Sequence, residues 1–193
     1  YFHIHSSGDF SIMSELRTNR IVPRDGLPSG SSGGIIQVRS TTLTTNVNVT
    51  IASGANTTFY DVSGLSVNIT PTRSDSKILV MVQMNIGTDQ STQRVGVRLR
   101  RDSTTIGAST DTGNSENACT IASLEHHRVY QSQSVNFHFL DSPSTTSQVT
   151  YKPQVAQENS GGSSMVYINR VDGNNNNSYY NGSSTITVME VSG

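Results

Sequence analysis

The residues best suited to chemistry in this chain are its histidines, of which there are five among 193 residues. Glu125, His126 and His127 are consecutive, and a carboxylate beside two imidazoles is a combination found in metal sites and in general acid–base catalysis. Successive side chains of a strand point to opposite faces, however, so adjacent histidines in an extended segment do not reach one ligand together. We therefore expect a surface or interface position for this cluster and no catalytic residue in it.

His138 is a single histidine with a defined orientation. It alternates with Phe137 and Phe139, so it points away from the core that those two rings define. This alternation predicts that His138 lines a subunit interface or faces solvent.

A His-x-His pattern, His3 and His5, lies near the start of the chain. On a strand the two imidazoles would point the same way, and three copies around a threefold axis could offer six imidazoles to one metal ion. The pattern lies within Tyr1–Ile12, which precedes Met13 and also resembles an expression-tag remnant. We predict no metal and no other cofactor, and a site at His3 and His5 is the alternative.

Other catalytic signatures are missing from the sequence. It contains no Gly-x-Ser-x-Gly elbow, no phosphate-binding loop and no spaced set of Cys and His. Cys119 is the single cysteine, and its apolar neighbours favour a small buried side chain. Asp61, Glu125 and Glu158 are isolated acids, so the carboxylate pair of a glycan hydrolase is not indicated. We predict a non-enzymatic protein.

A polar loop towards the C-terminal end is the best candidate for a binding site. Amide groups can satisfy the polar edges of a sugar, while tyrosine rings cover its apolar face. The candidate binding residues are Asn176, Asn177, Tyr179, Tyr180 and Asn181. An exposed polar loop with incidental tyrosines is the alternative.

The densest apolar run, Lys77–Ile86, predicts a central strand that positions the other elements. Alternate residues of this run form a core face: Ile78, Val80, Val82 and Met84. Leu79, Met81 and Ile86 lie in or beside this face. A strand that is apolar on both faces is usually central, with the core on one side and another layer or subunit on the other.

About ten short strands with polar turns predict an all-β fold, an antiparallel β-sandwich of jelly-roll type. The alternation of apolar residues predicts strands at Ile35–Ser40, Val47–Ser53, Thr57–Val62, Leu65–Ile69, Lys77–Ile86, Arg94–Arg101, Ser103–Gly107, Ala118–Tyr130, Ser134–Leu140, Gln148–Ala156, Ser164–Asp172 and Ser184–Val191. Within them, Pro153 predicts that Gln148–Ala156 is an edge strand or contains a bulge.

The composition favours oligomerisation and gives little reason to expect nucleic acid. Only 33% of the residues are hydrophobic and 14% are charged, with a net charge of -1. A modest core and a strand apolar on both faces favour burial against neighbouring subunits. The only basic cluster, Arg94, Arg98, Arg100 and Arg101, is too narrow for a nucleic-acid footprint. No stretch has the length of a membrane span, so we expect no membrane insertion.

The chain divides into three predicted parts. Residues 1–12 are a leader or tag, residues 13–33 an N-terminal attachment arm closed by a Ser/Gly linker, and residues 34–193 one β-sandwich domain. The arm residues expected to make the attachment are Leu16, Arg17, Asn19, Arg20, Ile21 and Val22. A disordered leader is the alternative for this segment.

Several segments occur in an order that points to a family. They are SELRTNRIVPRDG, GIIQV, FYDVSGLSVNITPTRSDSKILVMVQMNIG, VRLRRDSTTIG, FHFLDSPSTTSQVTYKPQ, VYINR and SSTITVMEV. As an ordered set, residues 14–193 resemble small fibre and virion surface proteins of tailed phages, marine cyanophages especially. The resembling segments include no catalytic residue.

The resemblance implies a homotrimeric β-sandwich knob at the end of a fibre or on the virion surface, assembled in the host cytoplasm. The arm would bind other virion proteins or run along the threefold axis, and distal loops would contact a glycan or protein of the host cell surface. Two alternatives remain open: a head-decoration or other accessory virion protein with the same fold, and a free carbohydrate-binding β-sandwich module.

Overall fold

Regular structure in the described part of the chain is entirely β-strand. The computed structural model of the protein describes residues 34–55, 57–110, 118–158, 161–173 and 180–192. All strand pairs in these ranges are antiparallel. The predicted all-β antiparallel class is confirmed.

Twelve strands lie in the described residues. They are β1 (Ile35–Leu43), β2 (Val47–Ile51), β3 (Tyr60–Asp61), β4 (Val67–Ile69), β5 (Lys77–Thr88), β6 (Gln93–Arg101), β7 (Thr104–Ile106), β8 (Ile121–His126), β9 (Gln133–Asp141), β10 (Val149–Gln157), β11 (Ser164–Ile168) and β12 (Ser184–Val191).

The first sheet is organised around β5. β12 pairs with Lys77–Gln83 of this strand, and β11 continues along the same edge at Ile86–Thr88. β9 pairs with the opposite edge, β1 pairs with the far side of β12, and β2 with the far side of β11. The apolar run therefore forms a central strand, as predicted.

The second sheet is organised around β10 and β6, which pair from Tyr151↔Arg101 to Gln157↔Val95. β4 and β3 occupy the other edge of β10, and β7 and β8 occupy the other edge of β6. The strand orders β1-β12-β5-β9 and β4-β10-β6-β7 are those of a jelly roll, in which two Greek keys wind between two sheets. The predicted jelly-roll sandwich is confirmed.

The core lies between the two sheets and follows the two-residue alternation of the strands. Inward side chains with no exposed surface include Ile78, Val80, Met84 and Ile86 on β5 and Val95, Val97 and Leu99 on β6. Burial of each such side chain contributes roughly 1.5–3 kcal/mol to folding. The central run thus supplies much of the surface on which the second sheet packs.

Pro153 lies within the second sheet, which corrects the prediction of an edge strand or bulge. β10 is continuous and has partners on both sides. The Pro153 carbonyl accepts the N–H of Val62 at 3.4 Å. The N and O atoms of one strand residue point to the same side, so the N–H that proline lacks would also face this edge of β10. At this edge β4 pairs as far as Tyr151 and β3 pairs from Gln154, so Pro153 lies opposite the break between the two strands. Proline is tolerated because no ladder bond is required at that break.

Several strands are shorter than their apolar alternation predicted, and in three of them the difference is at least four residues. The predicted Thr57–Val62, Ala118–Tyr130 and Ser164–Asp172 are strands only over Tyr60–Asp61, Ile121–His126 and Ser164–Ile168. The last ends because Asn169 has a φ of 67°, in the left-handed region that a strand does not use.

Gly87 on β5 packs closely against the chain that follows β11. A Cβ at this position would lie 2.6 Å from the carbonyl oxygen of Arg170 and 3.2 Å from the Cα of Val171. Because both are backbone atoms, Gly87→Ala is expected to lower the free energy of unfolding by about 1–3 kcal/mol. Urea denaturation at fixed protein concentration measures this change. Gly162→Ala, where nothing lies within 4 Å, is the matched control, and equal stabilities of the two variants would contradict the prediction.

Glu190 on β12 is a fully buried carboxylate held by neutral donors. Its Oε1 accepts the backbone N–H and the hydroxyl of Thr72, each at 2.7 Å, and its Oε2 accepts Nε2 of Gln37 at 2.6 Å. Burial by itself raises the pKa of this carboxyl, but the hydrogen bonds to its charged form outweigh burial and lower the pKa to about 2.

The lowered pKa of Glu190 predicts acid sensitivity. The folded pKa lies below the unfolded value of 4.5, so the stabilisation is complete above that pH and is lost as the pH falls towards 2. We expect a loss of about 2–3 kcal/mol in the free energy of unfolding from this group. Urea denaturation at about pH 5.5 and about pH 2.5 measures this loss, and the free energy of unfolding should change less between the two pH values in Glu190→Gln than in the wild type. The same pH effect in both proteins would exclude this role for Glu190.

Candidate interaction surface

The side of the first sheet that points away from the core has a defined pattern of side chains. Directly opposite residues of an antiparallel pair share a face, so the strand registers identify its members. From β1 to β9 they form three rows: Val38, Met189, Leu79 and Leu140; Ser40, Thr187, Met81 and His138; and Thr42, Thr185, Gln83 and Asn136. We call this surface the outer face.

The outer face changes from apolar to polar along the strands. The row of Val38, Met189, Leu79 and Leu140 is apolar, and beyond it Ile35, Val191 and Lys77 form the end of the face. The opposite row consists of hydroxyl and amide side chains. Lys77 is the only lysine or arginine in these rows, and its Nζ donates to the hydroxyl of Ser142 at 2.8 Å. The rows contain no acidic residue.

Large apolar side chains of this face are exposed to solvent. The exposed fractions are 61% for Ile35, 46% for Val38, 44% for Met81 and 55% for Leu140. Single exposed apolar residues are ordinary, whereas a group of them on one surface marks an interaction site. The prediction that the second face of β5 is covered by another layer or subunit thus concerns this surface.

A shallow depression of about 470 Å³ lies on the outer face. Its lining includes Met81, Gln83, Asn136, His138 and Thr187. Amide and hydroxyl groups beside the thioether of Met81 fit a polar, uncharged partner surface or ligand.

The side of the second sheet that points away from the core differs from the outer face, because it contains a network of charged side chains. Asp61 accepts hydrogen bonds from Nζ of Lys152 at 2.5 Å and from Nε2 of Gln154 at 2.6 Å. Gln154 in turn accepts Nε of Arg98 at 2.8 Å, and the Arg98 guanidinium lies 4.1 Å from the centre of the Phe59 ring. Burial tends to raise the pKa of Asp61, but the bonds from Lys152 and Gln154 lower it overall. The side chains of Asp61, Lys152, Gln154 and Arg98 are thus joined by hydrogen bonds within the sheet.

Comparisons with known proteins do not assign a family. No protein-family model and no curated protein matches the sequence. Solved structures of infectious bursal disease virus are similar in fold. The structure of its Gt strain matches with 13% identity and a TM-score of 0.48 over 81% of this chain and 38% of that chain. The crystal structure of its VP2 subviral particle matches with 11% identity and a TM-score of 0.44 over 80% of this chain and 39% of that chain.

The chain thus spans less than two fifths of the length of these solved chains. Similarity at this level does not identify a function.

The predicted binding loop is described only at its end. The side chain of Tyr180 is 99% exposed, and Oδ1 of Asn181 accepts Nδ2 of Asn46 at 3.3 Å. Asn176, Asn177 and Tyr179 lie outside the described residues. The loop therefore remains a prediction as a binding site.

The predicted arm and the predicted metal alternative also lie outside the described residues. They comprise Leu16, Arg17, Asn19, Arg20, Ile21 and Val22 for the arm and His3 and His5 for the metal. In the part that is described, no helix has the length and apolar character needed to cross a bilayer.

The described side chains of His127 and Cys119 show no arrangement suited to catalysis. Nδ1 of His127 lies 3.9 Å from Oε1 of Glu125, and both side chains are partly or largely exposed. Among the described residues no three His, Cys, Asp or Glu side chains are placed to hold a metal ion. Cys119 is half-buried rather than buried, and burial raises the pKa of its thiol, which disfavours a nucleophilic thiolate.

Strand pairing reveals members of the outer face that the sequence analysis missed. The alternation around His138 indicated that this side chain points away from the core, whereas Met81, Val38, Thr187 and Leu140 were not assigned to this face. The alternation within Ser184–Val191 could have identified some of them, because Thr185, Thr187 and Met189 alternate with residues that are buried in the core. Only the registers place these residues beside β5.

Proposed function

We propose that this chain is a non-enzymatic structural protein of a virus particle, a knob of the tail-fibre type. In this proposal it assembles as a homotrimer, attaches to other virion proteins through residues 13–33, and contacts a glycan or protein of the host surface. Its location is the virion surface.

The proposal of a structural, non-enzymatic protein is supported by the contacts that the acidic side chains make. Every Asp and Glu in the described residues has a polar or charged partner within the domain. The pairs are Asp61 with Lys152, Asp75 with Arg73, Asp89 with the Met165 N–H, Asp102 with the Thr150 N–H, Glu125 with His127, Asp141 with Arg101, Glu158 with Arg94, Asp172 with Tyr167, and Glu190 with Thr72. Hydrolysis of a glycan needs two carboxylates that flank the substrate, and these acids are instead distributed among separate structural contacts.

The resemblance to fibre proteins supports the virion part of the proposal. Several of its segments contain framework strands: GIIQV begins β1, KILVMVQMNIG is most of β5, VRLRR ends β6, FHFLD ends β9, VYI ends β11, and STITVMEV is β12. Other parts of these segments form turns between the strands. The resembling segments thus include the central strands and some of the turns between them, but not the candidate binding loop that ends at Asn181.

Light scattering on the purified full chain tests the assembly. We expect a particle with three times the 20.8 kDa mass of one chain. A monomer at all accessible concentrations would contradict the trimeric knob. Together with measurable glycan affinity, it would favour the free carbohydrate-binding module.

Replacement of Tyr180 tests the receptor loop. Because an exposed ring can cover the apolar face of a sugar, Tyr180→Ala is expected to weaken binding to any glycan found on an array by about tenfold or more. Asn68→Ala, at an exposed position of β4, is the control and should bind as the wild type does. Unchanged glycan binding by Tyr180→Ala would exclude this side chain from the receptor site.

A further inference from the structure

We propose that the outer face is the surface on which a neighbouring copy of this chain packs. The inference rests on the trimer of the proposed function and names the contact that would hold it together. It commits to a second copy as the occupant and leaves the receptor to other surfaces.

The distribution of exposed apolar side chains favours the outer face. The large hydrophobic residues that are exposed in the described structure are Ile35, Ile36, Val38, Met81, Tyr130, Leu140, Met165 and Tyr180. The strand registers place Ile35, Val38, Met81 and Leu140 on the outer face, and Ile36 lies beside Ile35 at the start of β1. Half of these exposed hydrophobic residues thus lie on one side of one sheet, where a single contact would cover them.

The two sheets differ in the number of charged side chains that a contact between identical chains would bury. The rows of the outer face contain Lys77 at one end and no acidic group, so packing there brings few charges together. On the second sheet, Arg98, Arg100 and Lys152 lie on neighbouring strands with Asp61 as their nearby acid. A contact between copies through that face would desolvate these charges, which is costly.

The area of the outer face is of the order that a protein contact requires. Four strands about 4.8 Å apart and roughly nine residues long span about 19 by 30 Å, which gives roughly 600 Å² per copy before side-chain relief is counted. A standard stable interface buries about 800 Å² per partner, so the outer face would supply most of it.

The place at which the described domain begins favours a copy of the same chain as the occupant. Thirty-three residues precede Gly34, and they join the domain at Ile35 and Ile36, at the corner of the outer face. Arms that run along a threefold axis would bring the starts of β1 from three copies near that axis. The sheet that contains β1 would then lie beside the neighbouring copies.

A charge placed in the middle of the outer face tests the proposal. Met81 is 44% exposed, so Met81→Glu can fold as a monomer, but it would bury a carboxylate in the contact. We expect the dissociation constant of the oligomer, measured by sedimentation and light scattering over a dilution series, to rise at least 100-fold. Asn68→Glu, an exposed position of β4, introduces the same charge on the other sheet and should leave the oligomer intact. Far-UV circular dichroism checks the fold of each variant.

The outcomes separate this inference from the function on which it rests. A wild-type oligomer that persists unchanged in Met81→Glu overturns the outer-face contact but not the trimer. A monomeric wild type overturns both. If Met81→Glu loses its folded spectrum, Leu140→Glu, at a more exposed position of the same face, takes its place, and an unchanged oligomer in that variant also overturns the contact.

Discussion

Asp141→Ala is expected to lower the free energy of unfolding by about 3–5 kcal/mol. Asp141 is 6% exposed at the end of β9. Nη1 of Arg101 donates to its Oδ1 at 2.9 Å and to its Oδ2 at 2.8 Å. Its Oδ2 also accepts the hydroxyl of Tyr151, a fully buried side chain, at 2.7 Å. Burial and this bond raise the pKa of Tyr151, so the hydroxyl stays a donor at neutral pH. Alanine would leave both donors without their acceptor in a poorly solvated place.

An exposed ion pair supplies the control for Asp141→Ala. Arg73 and Asp75 make a pair of similar length, 2.7 Å, with both side chains largely in solvent. Water replaces such a pair, so Asp75→Ala should leave the unfolding midpoint nearly unchanged. Urea denaturation at one fixed protein concentration compares the two variants, because assembly would otherwise add to the measured stability. Similar midpoints for both would contradict the importance of burial at Asp141.

Asn169→Ala is expected to lower the free energy of unfolding by about 4 kcal/mol. Asn169 is 1% exposed, and its Nδ2 donates to the carbonyls of Leu43 at 2.8 Å and Thr45 at 3.0 Å. Its Oδ1 accepts the hydroxyl of Ser184 at 2.6 Å. The side chain therefore ties the end of β1 and the start of β12 to the end of β11, and alanine would remove all three of these hydrogen bonds.

Backbone strain separates two variants at this position. Asn169 has a φ of 67°, which costs alanine about 1–2 kcal/mol and costs glycine little. Asn169→Gly loses the same three hydrogen bonds without the strain, so we expect it to be less destabilised than Asn169→Ala. Thermal or urea unfolding of both variants measures the difference. Wild-type stability in Asn169→Gly would show that the three hydrogen bonds contribute little.

The candidate site of this protein is a sheet face rather than a cleft. The acidic side chains of the described residues are engaged in structural contacts elsewhere in the domain, whereas apolar side chains of the outer face such as Met81 and Leu140 are exposed. Paired acidic groups together with an exposed apolar sheet face are expected of a protein that functions by binding other proteins. Assembly and attachment would then use different parts of the domain, the outer face for neighbouring copies and the loop that ends at Tyr180 for the host.

The sequence predicted the elements of the fold because each strand carries a local signal. The alternation in Lys77–Ile86 and Ser134–Leu140 identifies which side chains point inwards, and His138 is exposed as its position between two phenylalanines indicates. The same reasoning failed at Pro153. Its effect depends on what lies opposite in the sheet, namely the break between β4 and β3.

The sequence by itself therefore determined the all-β class, the central strand and the inward residues, since these follow from a two-residue period within each strand. Only the tertiary structure decided the partners. Asp141 and Arg101 are 40 residues apart, Thr72 and Glu190 are 118 apart, and Asn169 and Leu43 are 126 apart. The outer face is likewise built from β1, β5, β9 and β12, which only strand pairing brings together. Contacts between distant residues are selected by the packing of two whole sheets, and no local pattern encodes that packing.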